Sequence, residues 1–145
     1  MTYPLLNPRF AEDIKQSFAR QSIMRLIGAE LSLLEPGIVE ITLPYRADLA
    51  QQNGYVHAGI VTTIADSAAG YAAYSLMPAG AEVLSVEFKV NLLRPARGKS
   101  FLARADVIKP GRTLTVARAD VFGVAETGDR ELVATMLATI ICLQK

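Results

Sequence analysis

The chain is short of several things, and each shortage removes a class of function. It has 145 residues, one cysteine, one histidine and no tryptophan. A single Cys142 rules out an internal disulfide framework and a cysteine-rich zinc site. Its neighbours are apolar, which reads as a small core residue. Net charge is +1, so the broad basic surface of a nucleic-acid binder is missing. No basic segment followed by an apolar core opens the chain, so no secretory leader is expected. No run is long and uncharged enough for a bilayer span. A cytoplasmic protein, with no membrane and no nucleic acid as partner, is the expectation. No internal repeat or second domain is visible.

What is present is a globular composition, 51% hydrophobic and 20% charged, enough for one domain with its own core. Phe10, Ile14 and Phe18 recur at four-residue spacing and predict a short helix over 10–20, in a helical N-terminal segment of about 1–25. "EPG" at 35–37 predicts a type II turn between two strands. His57 to Leu76 has no proline and many alanines, and predicts a helix of about 20 residues. "VLSVEFKVNLL" alternates, with Leu84, Val86, Phe88, Val90 and Leu92 on one face and Ser85, Glu87, Lys89 and Asn91 on the other. Three more strands follow, with "KPGR" at 109–112 read as a second Pro-Gly turn. The last strand is apolar on both faces, Leu132, Met136 and Ile140 against Val133, Leu137 and Ile141. One face needs cover beyond the helix, from another subunit or the N-terminal segment. The fold class is α+β: an antiparallel sheet wrapped around one long central helix.

The chemistry concentrates in "QQNGYVHAGIVTTIADSAAGYAAY". Asp66 interrupts an apolar helix, and no lysine or arginine lies between Arg46 and Lys89. The bland reading is a solvated carboxylate, or one held by Thr62, Thr63 or Ser67. The functional reading is a general base or nucleophile, with the small residues Gly70 and Ala73 leaving room beside it. At the helix start, Ala58 and Gly59 place free backbone N–H groups and the positive dipole end where a carbonyl could be polarised. Eight residues of helix separate Ala58 from Asp66, roughly 12 Å. The two can act on one bond only if they come from different subunits, as in a two-fold dimer. His57 reads either as a general base or, preferably, as a structural group holding the loop. Tyr71 and Tyr74 are walls of an apolar tunnel or part of a packed core.

The order of elements, "NGYVHAGIVTTIAD" and "LSVEFKVNLLRPA" resemble the hotdog-fold acyl-CoA thioesterases, and among them the phenylacetic-acid-type branch. The resemblance implies a homo-oligomer, dimer or tetramer, that hydrolyses acyl-CoA without a cofactor or metal. It implies that Asp66 is the acid, that the Ala58 N–H polarises the thioester, that Gln51 orients substrate or water and that Ser85 positions the water. Asn53 is a second choice for the polar role of Gln51. The glycine usual after the histidine is Ala58 here, and the threonine of another branch is Gly70. For CoA phosphates the implied partners are Arg94, Gly111, Arg112 and Thr113, ahead of Arg97, Lys99 and Lys109. The alternatives are a hotdog hydratase or dehydratase, and a non-catalytic acyl-CoA sensor.

Overall fold

The structure is a computed structural model and describes residues 2–144. Helix α1, Phe10–Arg20, buries Ile14 fully and rests Phe10 and Phe18 against the core. The chain then makes a second short helix, α2, Ser22–Ile27, beyond the one helix that the four-residue spacing predicts. It brings Met24 and Ile27 into the core and ends at Gly28, whose φ of 79° is the left-handed cap that glycine takes without strain. Strands β1, Glu30–Glu35, and β2, Ile38–Pro44, form the expected hairpin. A three-residue helical turn, Ala47–Leu49, leads into the loop before the long helix.

Helix α3, Ala58–Tyr74, has 17 residues and is a little shorter than the periodicity predicts. His57 caps it from outside. At the other end the Ser75 hydroxyl donates to the Ala72 carbonyl and accepts from the Gly37 N–H, which stops the helical ladder before Pro78. Strands β3 (Glu82–Leu92), β4 (Ser100–Lys109), β5 (Leu114–Val124) and β6 (Arg130–Leu143) complete one antiparallel sheet in the order β1-β2-β4-β5-β6-β3. The helix lies against β2 to β6. Ala65, Ala68, Ala69 and Ala72 on the helix and Ala103, Ala105, Ala117, Ala119 and Ala138 on the sheet are completely buried. Small side chains on both sides let the helix sit close to the strands, so the alanine-rich sequence is a packing device. Overpacking it with a leucine at Ala68 should cost about 1–3 kcal/mol.

Two β-bulges revise the sequence reading. In β3, Ser85 pairs with Ile140 and Glu87 with Thr139, so Val86 is an extra residue. The bulge shifts the alternation by one. Leu84 joins Glu87, Lys89 and Asn91 on the outer face. Ser85 joins Phe88, Val90 and Leu92 on the helix side, because their β6 partners Ile140, Ala138, Met136 and Ala134 are all core residues. In β6, the β5 register skips Val133, and beyond it Ala134, Met136, Ala138, Ile140 and Cys142 face the helix. Leu137 and Ile141 face outward, and Leu137 is 51% exposed. The N-terminal segment gives them no cover: Tyr3 bonds the Val107 carbonyl, and α1 packs on β1, α2 and α3.

The turn at 110–113 differs from the one at 36–37. Gly37 has the positive φ of a type II turn, but Gly111 does not. Gly111 is needed for closeness instead, since a Cβ there would lie 2.0 Å from the Leu114 carbonyl oxygen.

Candidate functional site

Asp66 sits in the middle of α3 on the side facing β3, half-buried. The local partners that would make it ordinary are engaged elsewhere. Thr62 and Thr63 donate to the carbonyls of Ala58 and Gly59, and Ser67 turns toward Gln21. The donor to Asp66 is the hydroxyl of Ser85, 2.6 Å away and 19 residues later. The Val86 bulge is what aims Ser85 at the helix, so a strand irregularity builds half of the pair. No ion pair reaches Asp66 among the described residues. The carboxylate opens into a cavity of about 250 Å³ that continues past Ser67, Gly70 and Tyr71 to Ser17 of α1 and Gln21, between α1 and α2.

The helix start forms a separate cavity of about 440 Å³, lined by Gln51, Tyr55, Ala58, Val61, Leu92 and Arg94 among others. Its chemistry follows from the capping. His57 Nδ1 accepts from the Gly59 N–H at 2.8 Å, and the His57 carbonyl accepts from the N–H groups of Ile60 and Val61. That leaves the Ala58 N–H as the one first-turn donor without a partner among the described residues. A free N–H at a helix start is poised to hold a carbonyl oxygen as it gains negative charge. His57 thus acts as an N-cap, with its acceptor nitrogen occupied. Gly59 lies outside the cavity lining and its N–H is already used.

Gln51 folds its own loop. Its Oε1 accepts from the backbone N–H groups of Asn53, at 2.5 Å, and Tyr55, at 3.3 Å. The amide NH₂ has no partner among the described residues, and Gln51 lines the same cavity as Ala58. Asn53 is exposed and does not line this cavity, whereas Gln51 does.

The phosphate candidates are not brought together. Arg94 stands at the rim of the Ala58 cavity, paired to Glu131 at 3.0 Å with both side chains more than half exposed. Gly111, Arg112 and Thr113 are exposed at the β4–β5 turn, where Leu114 pairs with Ile141 and Ile141 with Leu84. They stand at the Ser85 end of the sheet, away from Arg94. Arg97 matters more than the sequence suggested. Its guanidinium lies 4.9 Å from the Tyr55 ring centre and donates to the Tyr55 hydroxyl at 2.7 Å. Gly123 permits this, because a Cβ there would meet the Arg97 carbonyl at 2.0 Å. Sequence reasoning also missed Ser17 and Gln21. Ser17 is on α1 and Gln21 is the extended residue just past its end, so helical spacing gave no signal that links them. Tyr71 lines the Asp66 cavity, whereas Tyr74 does not, and burial pushes the Tyr74 phenol above its usual value. Burial likewise pushes up the Cys142 thiol, as a core cysteine requires.

The chain matches the family model described as the thioesterase superfamily over residues 53–127, more than half its length. The crystal structure of a thioesterase family protein from Silicibacter pomeroyi superimposes with a TM-score of 0.91 at 51% identity, covering 94% of this chain and 99% of that one. A Halobacterium salinarum protein described as a candidate esterase is 33% identical over 114 residues, 75% of each chain. The Escherichia coli PaaI protein of the phenylacetic acid degradation operon shares the fold at a TM-score of 0.82, with 18% identity over 95% of this chain and 96% of that one. The helix wrapped by a six-stranded antiparallel sheet is the hotdog architecture.

Proposed function

The chain belongs to the thioesterase superfamily, and we propose that it is an acyl-CoA thioesterase, releasing a carboxylic acid and free CoA. The observation that carries this reading is the division of the chemistry. Asp66 with Ser85 lines one cavity and the Ala58 N–H with Gln51 lines another, with no lining residue in common. Along α3 they are roughly 12 Å apart. Each chain then holds two half-sites, and a two-fold pairing completes two whole ones.

The sheet supplies a surface for that pairing. β3 is an edge strand of 11 residues, with β6 on one side and no strand on the other among the described residues. Its Val86, Phe88 and Leu92 are 54%, 41% and 55% exposed. An uncovered apolar edge favours a second copy added strand to strand. Ser85 marks the acid cavity and Leu92 the helix-start cavity. Antiparallel pairing that sets one beside the other's partner copy brings the middle of β3, at Phe88 and Lys89, to the two-fold axis. The outward Leu137 and Ile141 leave a further face for a tetramer. A cytoplasmic location belongs to the same reading.

In the complete site the thioester oxygen faces the Ala58 N–H of one protomer. Asp66 of the other takes a proton from water as that water adds to the carbonyl carbon. The tetrahedral oxyanion rests on the Ala58 N–H, then collapses, and the C–S bond breaks. The proton passes to the departing CoA thiolate. In a second route an Asp66 oxygen attacks the carbonyl carbon, the C–S bond breaks to release CoA thiolate, and water then opens the mixed anhydride, giving the acid and restoring the Asp66 carboxylate. Gln51 orients, Ser85 holds the Asp66 carboxylate, and Arg94, with Arg97 on Tyr55, favours anionic CoA at the rim. No observation favours a hydratase or dehydratase: His57 caps α3 through Nδ1 and lines neither the Asp66 nor the Ala58 cavity. The test is an acyl-CoA panel with Asp66→Ala alongside the parent. Turnover that vanishes in the variant supports the reading. Tight acyl-CoA binding with no turnover by the parent would favour a sensor.

A further inference from the structure

The Asp66 cavity has a polar far wall that thioester hydrolysis itself does not use. It runs one helical turn along α3, since Asp66 and Gly70, and Ser67 and Tyr71, are i,i+4 pairs. At its end Gln21 Nε2 donates to the Tyr71 hydroxyl at 2.7 Å, and that hydroxyl also shares a hydrogen bond with Ser17 Oγ at 3.0 Å. Ser67 reaches Gln21 Oε1 only loosely, at 3.5 Å. An amide has two donor hydrogens and two acceptor lone pairs. Gln21 therefore keeps a donor and acceptor capacity to spare, held in place by a tyrosine that is 4% exposed. The side of the cavity is kept open by Gly70. A glycine in the middle of a helix is unfavourable relative to alanine, its φ is not positive, and a Cβ there would meet nothing within 4 Å. Neither backbone conformation nor packing within the chain requires the glycine, and a larger side chain there would extend into the cavity that Gly70 lines. From Asp66 to Gly70 and Tyr71 the cavity runs one turn, about 5.4 Å, along the helix, the reach of a short acyl chain.

We propose that Gly70 and the Ser17–Tyr71–Gln21 cluster determine acyl specificity. They select a short acyl group of about that length bearing a hydrogen-bonding group at its far end. This rests on the thioesterase reading, and it makes the N-terminal helix part of the substrate site. A plain alkyl chain must displace water from Gln21 without replacing its hydrogen bonds, whereas a terminal hydroxyl replaces them.

The test compares kcat/KM for ω-hydroxyhexanoyl-CoA, hexanoyl-CoA, dodecanoyl-CoA and acetyl-CoA in the parent, Gln21→Leu and Gly70→Leu. The parent should prefer the hydroxylated hexanoyl group over the plain one by about tenfold or more. Gln21→Leu should bring that ratio close to one by losing rate on the hydroxylated substrate. Gly70→Leu should lose about tenfold on both hexanoyl substrates, and far less on acetyl, without lowering Tm. A parent that hydrolyses hexanoyl and dodecanoyl groups as well as the hydroxylated one overturns the specificity claim and leaves the thioesterase reading intact. So does a Gln21→Leu variant with the parent's ratio, once its Tm shows it folded. No hydrolysis of any of the four by the parent removes the thioesterase reading and this inference with it.

Discussion

The two cavities of this chain differ in what they offer. The Asp66 cavity is built from side chains: a carboxylate, the Ser85 hydroxyl and a polar wall from α1. The Ala58 cavity is built from backbone and apolar surface, with one unpartnered N–H, the Gln51 amide and an arginine at the rim. One has a proton acceptor and no oxyanion donor. The other has the donor and no acid or base in its lining. Incompleteness of opposite kinds at the start and the middle of one helix points to assembly, and each place can be broken separately.

The largest effect is expected at the acid. Asp66→Asn keeps the acceptor for Ser85 but removes the proton acceptor, and kcat should fall by about 10²–10⁴-fold. A steady-state assay with KM measured separately checks it, and a retained kcat refutes the role. At the helix start Ala58→Pro deletes the free N–H with little cost to the fold. Proline suits the first position of a helix, and His57, with ψ 138°, already has the extended backbone that precedes a proline. The expected loss is about 10²–10³-fold in kcat with an unchanged circular dichroism spectrum. Equal rates would show that this N–H does not hold the oxyanion.

Smaller effects separate structure from chemistry. His57→Ala should cost about 1 kcal/mol of stability through the lost cap, read by denaturant midpoint, while kcat falls far less than in Asp66→Asn. A comparable fall in kcat would instead make His57 a base. The smallest effect concerns Cys142, which lies outside both cavities. Because burial raises its thiol above the ordinary range, the folded state favours the neutral form. Its effect on stability is constant below the unfolded thiol's range and becomes a loss only as pH rises beyond it. Alkylation at neutral pH should therefore be slow in the folded protein and fast after unfolding, with activity unaffected.

Much of this was legible before any coordinates. The apolar run with one aspartate predicted a helix and a reason to look at Asp66, and simple helical rise predicted that Ala58 and Asp66 could not meet in one chain. The turn at Gly37 was readable because its backbone demands glycine. The parts that escaped were set by tertiary structure. Strict alternation in β3 put Ser85 on the face opposite Phe88, Val90 and Leu92, since a bulge such as that at Val86 leaves no trace in a hydrophobic pattern. The same failure assigned Val133 to the wrong set in β6. Gly111 looked like Gly37 but serves a close backbone approach that only the fold creates. Ser17 and Gln21 carry no signal in the sequence, since only the fold brings Tyr71 of α3 to them.

The most direct test of a shared site uses two inactive proteins. Asp66→Ala and Ala58→Pro are purified, mixed under conditions where subunit exchange is demonstrated by mass spectrometry, and assayed on the same acyl-CoA. A mixed dimer has one site carrying both defects and one carrying neither. The account predicts that random exchange, which makes half the dimers mixed, restores about a quarter of the parent's activity per protomer. Mixed dimers that form and stay inactive would contradict it, and would place the acid and the oxyanion donor of each site within one chain.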